Sequence, residues 1–129
     1  MEKKINELDD LFGICPYVTT QKILSGKWKL IILHFLSEGT LRFSELNRKM
    51  PGVTQATLTS QLRSLEETGL VERHVYPEIP PKVEYLLTDM GREFKAVLDA
   101  VNDFGNAYIH LAMPPCESNK RDDLMELVE

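Results

Sequence analysis

Pro51-Gly52 separates two segments that each carry apolar residues at helical spacing, and this constrains the fold more than anything else in the chain. Before it, Ser44 to Met50 reads as a helix with Leu46 and Met50 turned inward. After it, Thr54 can cap a helix running to about Thr68, with Leu58, Leu62 and Leu65 in one narrow stripe and Gly69 as its stop. A turn as short as Met50 to Val53, containing a glycine, is what a helix-turn-helix requires.

The flanking sequence extends the pattern. Ile5, Leu8, Leu11 and Phe12 predict a short N-terminal helix ending near Gly13. Cys15-Pro16 reads as an N-cap followed by proline at the first helical position, opening a helix over Tyr17 to Leu24. Trp28, Ile31, Ile32, Phe35 and Leu36 predict the next helix, stopped by Gly39, and Leu41-Arg42-Phe43 a short extended link. Leu70 to Tyr76 and Val83 to Leu87, with Pro77-Glu78-Ile79-Pro80-Pro81 between them, predict a hairpin with a proline-stiffened tip. Thr88 or Asp89 then caps a long helix whose apolar side carries Phe94, Val97, Leu98, Val101, Phe104, Tyr108 and Leu111, ended by Pro114-Pro115. The tail from Cys116 to Glu129 is charged, with one helical turn expected around Leu124, Met125 and Leu127. The expected fold is α+β and mainly helical: a winged helix-turn-helix core over 15–88, flanked by dimerisation helices at 1–14 and 90–113, with the tail at 114–129, all one domain.

Length and charge limit the function. A chain of 129 residues is long enough for its own core, and this architecture already accounts for all of it. The apolar run near the N-terminus is too short to span a bilayer, and the acidic segment after Met1 to Lys4 is not a signal peptide, so a cytoplasmic location is expected. Cys15 and Cys116 lie far apart, without metal-type spacing, which suits a reducing compartment. The histidines at 34, 74 and 110 are scattered and there is no phosphate-binding glycine loop, so neither an enzyme nor a metal or cofactor site is expected. The net charge of −5 is unevenly spread: Thr20 to Tyr85 holds nine Lys/Arg (22, 27, 29, 42, 48, 49, 63, 73, 82) against seven Asp/Glu. The middle is mildly basic, which permits nucleic acid as a partner.

The helix after the turn is the informative one. Gln55, Thr57, Thr59, Ser60, Gln61, Arg63 and Ser64 are short or hydrogen-bonding, and no acid appears until Glu66. At a hundred degrees per residue, Ala56, Ser60 and Arg63 fall opposite the leucine stripe. Such a face can approach base edges and place a guanidinium on guanine or phosphate. The candidate DNA-contacting residues are therefore Thr54, Gln55, Ala56, Thr59, Ser60 and Arg63, with Lys82 and His74 on the wing and Lys27, Arg48 and Lys49 as phosphate contacts. The alternative for the helix is a plain solvated face, and for His74 a solvated strand residue. Trp28, Phe43 and Leu46 read as core.

The motifs Cys15-Pro16, Gly26-Lys27-Trp28-Lys29, Arg42-Phe43-Ser44-Glu45-Leu46 and Pro51-Gly52-Val53-Thr54-Gln55 resemble successive signatures of the HxlR-type winged-helix regulators. So do Leu58-Thr59-x-Gln61-Leu62-Arg63-x-Leu65-Glu66-x-x-Gly69-Leu70-Val71 and Tyr76-Pro77-Glu78-Ile79-Pro80-Pro81-Lys82-Val83-Glu84-Tyr85. The resemblance covers residues 15 to about 108. It implies a dimeric regulator of double-stranded DNA, related in architecture to MarR-type proteins and in many members a repressor. Phe94, Val97, Val101, Phe104 and Tyr108 would lie in the dimer contact. Members commonly carry Ser at position 54, Lys at 56 and Gln at 60; Ala56 and Ser60 shorten the face expected to meet the bases, which bears on operator sequence. Cys15, as N-cap, is a candidate sensor of a small-molecule oxidant or electrophile, since helix N-termini favour thiolates and several members use the matching cysteine in this way. The competing class is a winged helix that binds only protein. An effector held between the dimer helices and the core is a further possibility that the sequence leaves open.

Overall fold

The computed structural model describes residues 8–113, in which a helical body carries a small antiparallel sheet. A 3₁₀ turn over Leu8–Leu11 leads to α1 (Pro16–Ile23), α2 (Lys29–Ser37), β1 (Leu41–Arg42), α3 (Phe43–Lys49), α4 (Gln55–Glu67), β2 (Val71–Tyr76), β3 (Lys82–Leu87), α5 (Asp89–Glu93) and α6 (Lys95–Ala112). The expected order is present, with local differences. The extended link at Leu41 joins the sheet as an edge strand, in the order β1-β3-β2, with Leu41 opposite Tyr85 and Arg42 opposite Glu84. The N-terminal segment shows only the 3₁₀ turn; Ile5, Pro114-Pro115, Cys116 and the tail lie outside the described residues.

The core forms where the stripes of α2 and α4 meet. Leu58, Leu62 and Leu65 of α4 are buried against Ile32, Leu33, Phe35 and Leu36 of α2, with Leu46 and Met50 of α3 completing the layer. Leu33 is inside and Ile31 largely outside, the reverse of the expected α2 stripe. Trp28 is half-buried: it lies against the core as one wall, with Lys27 Nζ 5.1 Å from its ring centroid. Val71, Tyr85 and Leu87 bring the hairpin onto this core.

Two glycines are required by the backbone, Gly26 by its positive φ and Gly91 by close approach. Gly26, at φ 117, places its Cα against α4, where an added Cβ would sit 2.5 Å from Gln61 Oε1. At Gly91 a Cβ would sit 2.1 Å from the Leu70 carbonyl oxygen, fixing α5 flush against the α4–β2 junction.

The long C-terminal helix is interrupted. Thr88 caps α5 by accepting from Gly91 N at 3.0 Å, and the Phe94 N–H bonds the Gly91 carbonyl at 3.1 Å, a tighter turn than an α-helix makes. Phe94 (9% exposed) and Leu98 are buried in the chain's own core. Phe94 therefore does not belong to the open dimerisation face assigned to it from sequence. It and Leu98 form one edge of the apolar stripe; Val97, Val101, Phe104, Tyr108 and Leu111 form the adjoining edge, which is exposed.

Gly91→Ala should destabilise the protein by about 1–3 kcal/mol at fixed protein concentration, because the Leu70 carbonyl is backbone and cannot swing aside. Urea unfolding checks this, and an unchanged midpoint would mean the α5 packing is looser than described.

Candidate nucleic-acid interface

The surface of α4 is set by its start and its buried stripe. Thr54, in extended conformation, accepts from Thr57 N at 3.1 Å and donates to Thr57 Oγ1 at 2.9 Å. Its hydroxyl thus serves the helix, so Thr54 acts as a cap, while Thr59 Oγ1 donates to the Gln55 carbonyl at 2.8 Å. With the leucines inward, Gln55, Ala56, Thr59, Ser60 and Arg63 line a groove of about 980 Å³ between α4 and the hairpin. Its opposite wall carries Arg73, and Phe43, Val83 and Tyr85 also line it, with Glu66 and Glu67 contributed by the end of α4. The Phe43 and Tyr85 rings are 6.5 Å apart. The helix-turn-helix before the groove is pinned by the Arg42 N–H, which donates to Glu45 Oε1 at 3.0 Å at the start of α3.

The other candidates do not join this groove. Register places His74 opposite Glu84 and Tyr76 opposite Lys82, on the sheet face away from the one that carries Val71, Arg73, Tyr85 and Leu87. On that face Lys82 and His74 each have an acid beside them. Lys82 Nζ donates to Glu84 Oε1 at 2.8 Å and lies 4.8 Å from the Tyr76 ring centroid, while His74 Nε2 is 3.0 Å from Glu72 Oε1. The hydrogen bond with Glu84 raises Lys82 above the ordinary lysine value and lowers Glu84 below the ordinary carboxylate value. Lys82 thus remains charged but is already balanced, which weakens its assignment as a free phosphate contact. Lys27 sits over Trp28 and Lys49 over Phe35, at 5.5 Å; Arg48 is exposed at the end of α3. The residue missed from sequence is Arg73. Strand alternation from the buried Val71 was the available signal, because it puts Arg73 on the core-side face beside α4.

Cys15 occupies the N-cap of α1, at φ −94 and ψ 121, with Pro16 following. Its free thiol is half-buried, and its carbonyl accepts from Thr19 Oγ1 at 2.7 Å. No helix among the described residues is long and apolar enough to cross a membrane.

A polar helix face on a helix-turn-helix, flanked by a hairpin across a groove, defines a winged-helix DNA-binding protein. The HxlR-like helix-turn-helix family model matches residues 23–113, and the chain belongs to that family of transcription regulators. It is 46% identical over 103 residues to an uncharacterized HTH-type transcriptional regulator of Methanothermobacter thermautotrophicus, covering 80% of this chain and 79% of that one. Among solved structures it is similar to the HTH-type regulator YtcD of Bacillus subtilis, at TM-score 0.72 and 43% identity, over 75% of this chain and 99% of that chain. It is also similar to the redox regulator HypR in its reduced form, at TM-score 0.70 and 40% identity, over 73% of this chain and 93% of that one.

The Lys82–Glu84 pair gives a pH expectation. Glu84, lowered, contributes above the ordinary carboxylate value and loses this as pH falls through its lowered one; Lys82, raised, contributes below the ordinary lysine value and loses this as pH rises through its raised one. The pair thus holds through neutral pH. Glu84→Gln should release Lys82 and steepen the slope of log K against log salt for a random-sequence duplex by about 0.9 per protomer. Fluorescence anisotropy across a salt series reads this, and an unmoved slope means Lys82 does not reach phosphate even when unpaired.

Proposed function

We propose that the chain is a homodimeric repressor that places α4 of each protomer in successive major grooves of a pseudo-palindromic operator. The observation that carries this reading is the acid-free stretch of α4 from Gln55 to Leu65, held outward by the buried leucines and flanked by the hairpin. Gln55, Thr59 and Ser60 can hydrogen-bond base edges, and the exposed Arg63 can donate to guanine O6 and N7.

Dimerisation is supported by the course of α6. After Leu98 the helix leaves the body, and every residue from 99 to 113 is exposed except Gly105, which is partly covered. Along it Val101, Phe104 (70% exposed), Tyr108 and Leu111 form a stripe, with the Phe104 and Tyr108 rings 6.3 Å apart. Exposed Phe12, Ile14 and Tyr17 add apolar surface near the N-terminus. A lone helix projecting such a stripe is marginal in water, and a two-fold partner would cover it. Met90, Val97 and Ile31 are exposed as well and are available to the same contact.

Cys15 is the proposed sensing residue, supported by its N-cap position and by the likeness to a protein named as a redox regulator. Oxidation or alkylation there would alter the entry to α1, whose end packs through Ile23 and Leu24 on the core beneath α4.

Arg63→Ala should cost about 1–3 kcal/mol in operator binding and relax preference at one position per half-site, measured by gel shift on the region upstream of its own gene. Binding of operator and random DNA like the parent would refute the assignment. Val101→Glu with Phe104→Glu should give monomers or insoluble chains, read by light scattering; clean monomer mass for the unmodified protein at micromolar concentration would contradict the dimer. Diamide should change operator affinity in the parent and not in Cys15→Ser, and equal responses would leave Cys15 a structural residue.

A further inference from the structure

We propose that Arg73 of β2 is a phosphate-binding residue that seats one DNA strand in the groove between α4 and the hairpin. The inference rests on the DNA-binding reading and adds a contact, and a path for the backbone, that the recognition helix alone does not define.

Arg73 and Arg63 lie on opposite walls of the same groove, one on the sheet and one on the helix. Register fixes Arg73 on the core-side face: its cross-strand partner is the buried Tyr85, and two residues earlier Val71 is buried on the same face. Both arginines are exposed, and among the described residues neither makes an ion pair. The contrast on the other face of the sheet is chemical: Lys82 and His74 each have a carboxylate within 3.0 Å. Of the hairpin cations, Arg73 is therefore the one that stands on the recognition surface without an ion pair.

The rest of the groove suits a sugar-phosphate strand. Phe43 and Val83, both partly exposed, offer apolar surface for deoxyribose, while Ser60 offers a hydroxyl. Glu66 and Glu67 would repel phosphate, so the strand must cross on the Arg63 side of them. A guanidinium suits this position because its planar fork binds two phosphate oxygens at once. The simpler role for Arg73, balancing Glu66, would leave its removal without effect on the number of counterions released when DNA binds.

The test compares the full-length parent with Arg73→Ala, Arg73→Gln and Arg73→Lys, using a fluorescein-labelled random-sequence duplex long enough for two half-sites. Affinity is read by anisotropy over a salt series, with circular dichroism and thermal midpoints confirming the fold. Arg73→Ala and Arg73→Gln should flatten the slope of log K against log salt by about 0.9 per protomer, and Arg73→Lys should keep it. If Arg73→Ala fails to fold, the Gln and Lys pair decides. A slope unmoved in folded Arg73→Gln, with the parent binding normally, overturns this inference alone. A parent that binds neither this duplex nor the region upstream of its own gene overturns the DNA-binding reading and this inference with it.

Discussion

Burial of Leu58, Leu62 and Leu65 against α2 is the contact on which the interface depends. Each buried leucine side chain contributes about 1.5–3 kcal/mol relative to exposure, and all three leave water almost completely. A rotation of α4 about its axis would expose them, at a cost well above that of any single surface contact. The rotation of the helix is thereby fixed, and with it the outward direction of Ala56, Ser60 and Arg63. The same core receives the hairpin through Val71, Tyr85 and Leu87, so the groove is held from both sides by one apolar layer. Gly69 and Gly91 serve this geometry: one turns the chain from α4 into β2 at φ 85, the other lets α5 close against the Leu70 carbonyl.

Charge is then sorted by location. A net charge of −5 is no obstacle to DNA when acids and bases are paired away from the groove. On the outer sheet face Glu84 pairs with Lys82 and Glu72 lies beside His74, while Lys27 and Lys49 lie over aromatic rings. Among the described residues Arg63 and Arg73 face the groove without an ion pair, while Glu66 and Glu67 at the end of α4 would push a phosphate away from themselves.

The elements were legible in the sequence because each has local punctuation: Pro16, Thr54, Gly69, the proline-rich hairpin tip and Thr88 all mark real boundaries within a residue or so. The leucine stripe of α4 was legible for the same reason, being a helical period with no competing apolar residue. What could not be read from one strand or helix at a time depended on neighbours. Whether Lys82 is free depends on Glu84 across two residues and on Tyr76 across the hairpin. That Arg73 faces α4 depends on which side of the sheet meets the core. The stripe of α6 divides because only Phe94 and Leu98 reach the body, a consequence of where α5 docks. In α2, where nearly every residue is apolar, periodicity alone could not choose between Ile31 and Leu33.

The central claim is that α4 enters the major groove of DNA, once per protomer. Dimethyl sulfate footprinting on the region upstream of its own gene tests it directly, since the reagent methylates guanine N7 in that groove. The proposed homodimer predicts protection in two patches about one helical turn apart, centred on a two-fold axis. Binding without any protection of guanine N7 in a guanine-containing site, or a single unpaired patch, would contradict it.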